Sequence, residues 1–188
     1  LEFNSSFQDI IKVEVNTQNE FKEFSQNAKN IWENSYDADD FDEFCTVIKE
    51  RLPARRLYKL QTLSGYHMAF SKNACNFSVP GAGKTSIVYS AFAYLNKSKV
   101  EPINKMLIIG PPSSFTPWEQ EFFECFGRKP KSFRISGEVP QNIKRDVLKG
   151  ITTNEYELYL ITYNSVPSLI EELLIFLKSK SNNVMLVC

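Results

Sequence analysis

Apolar and polar positions change rhythm several times along the 188-residue chain. "IIKVEV" (10–15) alternates with the period of a strand. "TQNE" (17–20) has the Ser/Thr-x-x-Glu form of a capping box, and Phe21, Phe24, Ala28, Ile31 and Trp32 then recur at helical spacing. A second helical stripe runs from about Asp39 through Phe41, Phe44, Cys45, Ile48 and Leu52, and Pro53 ends it. Residues 1–52 therefore read as a mainly helical segment. Beyond Pro53 the pattern alternates. A helix over about 57–71 leads to a short strand, "NACNFSV", a glycine turn and a helix over 84–96. "KMLIIG" (105–110) has an apolar centre, as expected of a strand covered on both faces. Pro117 opens the helix "WEQEFFECF", "KSFRIS" is a strand, 140–149 a helix and "YELYLITY" a strand. "SLIEELLIFLKS" is a helix with a capping box from Ser168 to Glu171, and "NVMLVC" is a last strand. This order predicts an α/β fold with a parallel sheet flanked by helices over 53–188.

The turn between the strand at 73–79 and the helix at 84 carries the most specific chemistry, "SVPGAGKTS". Gly81 and Gly83 permit backbone angles and close approach that a side chain forbids. Successive amides there face one concavity, and the helix that follows adds its positive end. Lys84 supplies a cation and Thr85 a hydroxyl able to ligate Mg²⁺. Ser78, Pro80, Gly81, Ala82, Gly83, Lys84, Thr85 and Ser86 together have the form of a triphosphate cradle, the P-loop. The full pattern begins with glycine, and Ser78 occupies that position here. The expected ligands are ATP and Mg²⁺.

Charge and cysteine usage add to this picture. The net charge is zero, but residues 1–50 hold 12 acidic and 4 basic side chains, and residues 51–188 hold 10 acidic and 18 basic. A basic body suits phosphate ligands, and the acidic front segment 1–52 could dock a protein partner. Cys45, Cys75, Cys125 and Cys188 form no C-x-x-C pair and His67 is the only histidine, so the pattern predicts free thiols rather than a zinc site. The longest apolar runs are too short for a bilayer and the first residues lack a secretory pattern, so no membrane partner is expected. The expected location is the cytoplasm, or the nucleus or a virion for a eukaryotic or viral protein.

The segments around the turn resemble, in order, the first RecA-like domain of superfamily 2 helicases, and most of all the Swi/Snf-type DNA translocases. "LYKLQ" resembles the glutamine motif, with Gln61 lying 23 residues before Lys84, and "SVPGAGKTS" resembles motif I. "GPPSSFTPWEQEF" resembles motif Ia, a proline–serine turn followed by a Trp-x-x-Glu helix, and "ITYNS" resembles motif Ib. Gly137 and Arg145 resemble the Gly…Arg segment between them. The likeness covers about 57–188. It implies a three-layer, RecA-like P-loop NTPase domain over 53–188, with 1–52 as an extension in front. It implies that Gln61 reads adenine, and that Pro111, Pro112, Ser113, Ser114, Thr162, Tyr163 and Asn164 face a nucleic-acid backbone. The implied partners are DNA, with RNA as the alternative, and a second RecA-like domain of the same parent protein.

Two departures from the family stand out. Tyr58 occupies a place where these proteins often carry arginine. No Asp-Glu-x-His motif II is present. Hydrolysis at a P-loop needs a carboxylate at the end of a buried strand, yet "MLIIG" runs into Pro111, "LYLITY" into Asn164 and "VMLVC" to Cys188. The expectation is a domain cut just before motif II, with Asp-Glu following within about three residues. Such a fragment would bind nucleotide without hydrolysing it, and the parent protein would be the ATPase. The rivals are a small-molecule kinase, for which no lid or acceptor segment is visible, and a binding or scaffold module.

Other side chains have competing readings. Trp118 and "FFECF" suit core packing better than base stacking. Lys129, Lys131 and Arg134 could track phosphates or simply be solvated. Arg55, Arg56 and Lys59 could meet phosphate or DNA, or cap a helix. His67 reads as structural.

Overall fold

A computed structural model describes residues 5–71, 73–98, 101–152 and 155–188. Seven helices and four strands occur among them: α1 (Ser5–Trp32), α2 (Ala38–Arg51), α3 (Lys59–Phe70), α4 (Lys84–Asn96), β1 (Lys105–Ile109), α5 (Phe115–Phe126), β2 (Ser132–Ile135), α6 (Gln141–Leu148), β3 (Leu158–Ile161), α7 (Ile170–Lys178) and β4 (Val184–Val187). The strands form one sheet in the order β2-β3-β1-β4, and every pairing is parallel. The chain is an α/β fold with helices on both faces of a parallel sheet.

Strand alternation sorts the core into two layers. Met106, Ile108, Leu158 and Leu160 face one side and pack with Phe44, Tyr66, Tyr89, Phe92, Phe115 and Phe122. Leu107, Ile135, Tyr159 and Ile161 face the other and pack with Val147, Leu148, Leu173 and Phe176. The path explains the split. It steps from β1 across to the far edge through α5, then back through α6 and α7. Reversing direction with crossovers of one hand puts the connecting helices on opposite faces.

Three local expectations are overturned. Residues 10–15 are helical, part of the 28-residue α1, with Ile10 and Val13 exposed. A lone strand has no ladder partner there, whereas a helix satisfies its own backbone. Thr17 accordingly sits inside the helix rather than at its start, its hydroxyl donating to the Val13 carbonyl at 2.8 Å. Residues 73–79 form no strand. The Asn76 carboxamide oxygen accepts from the Ser78 amide at 3.0 Å and from the Ser78 hydroxyl, a local turn that competes with a ladder. Ser168 does not cap α7, because two 3₁₀ turns (163–165 and 167–169) precede that helix and its hydroxyl donates to the Ser165 carbonyl at 3.0 Å.

Helix α2 starts where Asp37 accepts from the amides of Asp39 and Asp40. Its Phe44, Val47 and Ile48 are buried, and Phe44 and Ile48 share one core cluster with the sheet. No helix among the described residues is long and apolar enough to cross a membrane.

All four cysteines are free thiols. Burial pushes the Cys125 thiol up to about 12, with the nearby Glu121 carboxylate adding to it. Cys75 and Cys188 are exposed. A thiol-specific chromogenic reagent near neutral pH is therefore expected to modify Cys75 and Cys188 at once and Cys125 only after denaturation. Mass spectrometry of the modified peptides checks this, and rapid labelling of Cys125 in the folded protein would contradict it.

Candidate functional site

Two glycines shape the turn ahead of α4. Gly81 has φ 82° and Gly83 has φ 77°, both in the left-handed region where only glycine is unstrained. A Cβ on Gly81 would meet nothing within 4 Å, so the turn opens onto free space. A Cβ on Gly83 would stand 2.4 Å from Gln61 Nε2. The Ala82 amide donates to the Val79 carbonyl at 3.2 Å, and the Ile87 amide to the Gly83 carbonyl at 3.0 Å. Helix geometry leaves the amides of Lys84, Thr85 and Ser86 without intrahelical acceptors. Lys84 Nζ donates to the Val79 carbonyl at 3.2 Å, so the cation lies folded back over the turn.

Gln61 reaches this turn from α3. Its Oε1 accepts from the Tyr58 amide at 3.0 Å, which caps the helix. Its Nε2 donates to the Ala82 carbonyl at 2.9 Å. Each end of the carboxamide keeps capacity for a second bond. Tyr58, at the N-cap of α3, is 78% exposed.

The first turn of α4 is also tied to α5. The Ser86 hydroxyl, 2% exposed as a residue, donates to Glu121 Oε1. Arg55 Nη2 pairs with the same oxygen, Arg55 Nε donates to Ser86 Oγ at 3.3 Å, and Arg55 Nη1 lies 3.4 Å from Glu124. The hydrogen bond to Glu121 holds Arg55 above the usual guanidinium range. Arg55 is thus committed to carboxylates and is not a free phosphate ligand. Sequence reasoning left Arg55 open and did not weigh Glu121. The Trp-x-x-Glu spacing marks Glu121 but does not point to Arg55 as its partner.

The expected nucleic-acid residues gather at one end of the sheet. β1 and β3 pair through Ile109 and Ile161, and the Gly110 amide donates to the Ile161 carbonyl at 3.0 Å. Pro111–Ser114 and Thr162–Asn164 therefore leave adjacent strands side by side. Pro112–Ser114 form a 3₁₀ turn in which the Ser114 hydroxyl donates to the Pro111 carbonyl at 2.7 Å. Pro111, Pro112, Ser113, Tyr163 and Asn164 are exposed. Thr162 is buried and its hydroxyl shares a hydrogen bond with Ser165 at 2.7 Å, so it shapes the turn rather than presenting a free donor.

The flanking basic residues are mostly paired. Arg134 binds Glu119, Arg128 binds Glu157 and Lys131 lies 3.4 Å from Glu155. Arg145 lies 3.3 Å from the buried Glu172. Trp118 is half-buried edge-on against Tyr89, with ring centroids 5.5 Å apart. His67 is half-buried, and burial holds its imidazole below the ordinary value. Two shallow cavities, of about 560 and 440 Å³, lie beside α5–β2 and around Lys105–Glu157, away from the glycine turn.

Thr85, the expected Mg²⁺ ligand, is half-buried in the first turn of α4. No carboxylate follows β1 or β3, which run on into Gly110-Pro111 and Thr162-Tyr163. Among the described residues, no three of His, Cys, Asp and Glu come together in a way that would hold a metal ion. No family model matches the chain, and no curated protein matches it.

Proposed function

We propose that this chain is the nucleotide-binding first domain, RecA-like in fold, of a superfamily 2 nucleic-acid translocase related to the Swi/Snf type. The observation that carries the reading is the bond from Gln61 to the Ala82 carbonyl. It joins a glutamine 21 residues upstream to a turn that the sequence marks independently as a phosphate cradle.

In this reading the amides of Gly81–Ser86 hold phosphate oxygens, Lys84 swings off the Val79 carbonyl onto the β- and γ-phosphates, and Thr85 ligates Mg²⁺. ATP with Mg²⁺ supplies the free energy that a translocase spends when the parent protein hydrolyses it. The spare donor and acceptor of Gln61 match the acceptor N7 and the donor amino group of adenine, whereas guanine presents two acceptors on that edge. Pro111–Ser114 with Tyr163 and Asn164 track the nucleic-acid backbone, DNA in the first instance, without reading bases. A second RecA-like domain of the parent protein supplies the remaining catalytic groups. Within residues 1–52, the exposed face of α1 ahead of the core-bound α2 is proposed as a protein-docking surface, and the cytoplasm or nucleus as the working compartment.

Titrating the chain with Mg²⁺ and a non-hydrolysable ATP analogue tests this by backbone amide NMR. The largest shifts are expected at Gly81–Ser86, with the GTP analogue binding more weakly. Shifts centred on the cavity beside α5–β2 would contradict the assignment.

A further inference from the structure

Trp118 and Glu121 stand three residues apart on α5. Among the described residues, these two positions make the polar bonds between α5 and α4, the helix that follows the glycine turn. The Tyr89 hydroxyl donates to the Trp118 carbonyl at 2.7 Å, and the Ser86 hydroxyl donates to Glu121. The donors are three apart on α4 and the acceptors three apart on α5, so one face of each helix is fastened to the other over a full turn.

We propose that Glu121 is a positioning residue that couples nucleotide occupancy of the cradle to the nucleic-acid-facing turn at Pro111–Ser114. This rests on the reading of the glycine turn as a triphosphate site and of that turn as a nucleic-acid contact.

The connection is physically continuous. Ser86 directly follows Thr85, so a ligand gripping the amides of 81–85 acts on the helical turn that carries the Ser86 hydroxyl. The Ala82 carbonyl, one turn back from Ser86, already accepts from Gln61. Glu121 receives Ser86 and Arg55 on the same oxygen, and its side chain is only 18% exposed. The carboxylate therefore cannot release Ser86 without disturbing the charge pair with Arg55. Glu121 lies seven positions beyond Ser114 along α5, about 10 Å along the axis. Phe115, the first residue of α5, is 2% exposed and anchored in the core, so α5 and the 3₁₀ turn before it shift together. By contrast, no hydrogen bond among the described residues joins 81–85 directly to 111–114.

The test uses the whole chain, a Mg²⁺-bound non-hydrolysable ATP analogue and a fluorescent mixed-sequence DNA duplex. Duplex affinity is measured by anisotropy with and without saturating analogue, and the ratio of the two is the coupling. The wild-type chain is expected to show a coupling of about fivefold or more. Glu121→Gln removes the charge that holds Arg55, and Ser86→Ala removes the cradle's end of the link while leaving Arg55 and Glu121 paired. Each is expected to cut the ratio below about twofold. A folded variant of either kind with the full wild-type ratio overturns the proposal, as does a wild-type chain that binds both ligands independently. If Glu121→Gln fails to fold, Ser86→Ala decides. A wild-type chain that takes up neither analogue nor duplex sinks the triphosphate reading itself, an outcome distinct from uncoupled binding.

Discussion

Replacing Phe44 with alanine is expected to lower the unfolding free energy by about 3–5 kcal/mol. Phe44 belongs to α2, in the acidic front segment, yet it is 0% exposed. Its ring lies 5.7 Å from that of Tyr66 on α3 and 5.3 Å from that of Tyr94 on α4. Tyr36, Phe41 and Phe70 extend the same set of edge-on and tilted rings. Edge-to-face pairs of this kind add to simple burial, so deleting the ring removes packing from three helices at once. Gly65 packs against the ring, since a Cβ there would lie 3.2 Å from it, and being glycine it has no side chain to swing into the space that alanine leaves. The cavity left by alanine would thus persist, and its cost would be felt by the whole sheet layer rather than by α2 alone. Trp32, at the end of α1, is the control: it is 87% exposed, and its alanine variant should change stability by no more than about 0.5 kcal/mol. Urea denaturation of the two variants measures both. A loss below about 1 kcal/mol for Phe44→Ala would mean that α2 does not share the core.

The sheet was legible because its strands advertise themselves. "MLII", "LYLI" and "VMLV" are short apolar runs, each entered from a polar residue, and they pair as neighbours in the sheet, with the more polar β2 added at the edge beside β3. The segments that misled share a different trait. "IIKVEV" alternates over six residues, too few to outweigh the absence of a neighbour to pair with, and the helical ladder prevails. "NACNFSV" has apolar positions at strand spacing, but Asn76 turns its side chain onto Ser78 and spends the backbone locally. Ser168 had a capping partner in sequence but lies inside the second 3₁₀ turn, one residue ahead of the N-cap Leu169, and no periodicity marks that turn. The candidate site divides the same way. Glycines at 81 and 83 announce a left-handed turn because no other residue fits those angles without strain. The Arg55–Glu121 pair joins positions 66 apart, and nothing local in either segment predicts it. Long-range charge pairing is decided by how helices stack on the sheet, which one sequence does not display.

Replacing Lys84 with alanine is expected to weaken binding of the Mg²⁺-bound ATP analogue by roughly 30-fold or more, corresponding to about 2 kcal/mol. In the free chain the ammonium rests on the Val79 carbonyl at 3.2 Å, a neutral acceptor at the surface of the turn. At this exposed site water can replace that bond cheaply. A bond from an ammonium to a phosphate oxygen is charge-assisted and contributes about 1.5–3 kcal/mol, with a further Coulomb gain from the other phosphate charges nearby. Exchange of the first partner for the second is therefore favourable only when an anion occupies the turn, and that difference is what the alanine variant forfeits. Stability should respond far less, because Lys84 is half-buried at the start of α4 and makes no ion pair with a carboxylate among the described residues. Its loss should move the urea midpoint by no more than the Trp32 control does. The same reasoning fixes the salt dependence. Raising ionic strength should weaken the wild-type complex more steeply than the Lys84→Ala complex, since one fewer cation is then screened from the phosphates. Isothermal titration of both proteins at two salt concentrations reads each quantity. An affinity for the variant within twofold of wild type, with parallel salt slopes, would show that the triphosphate is not held at this turn.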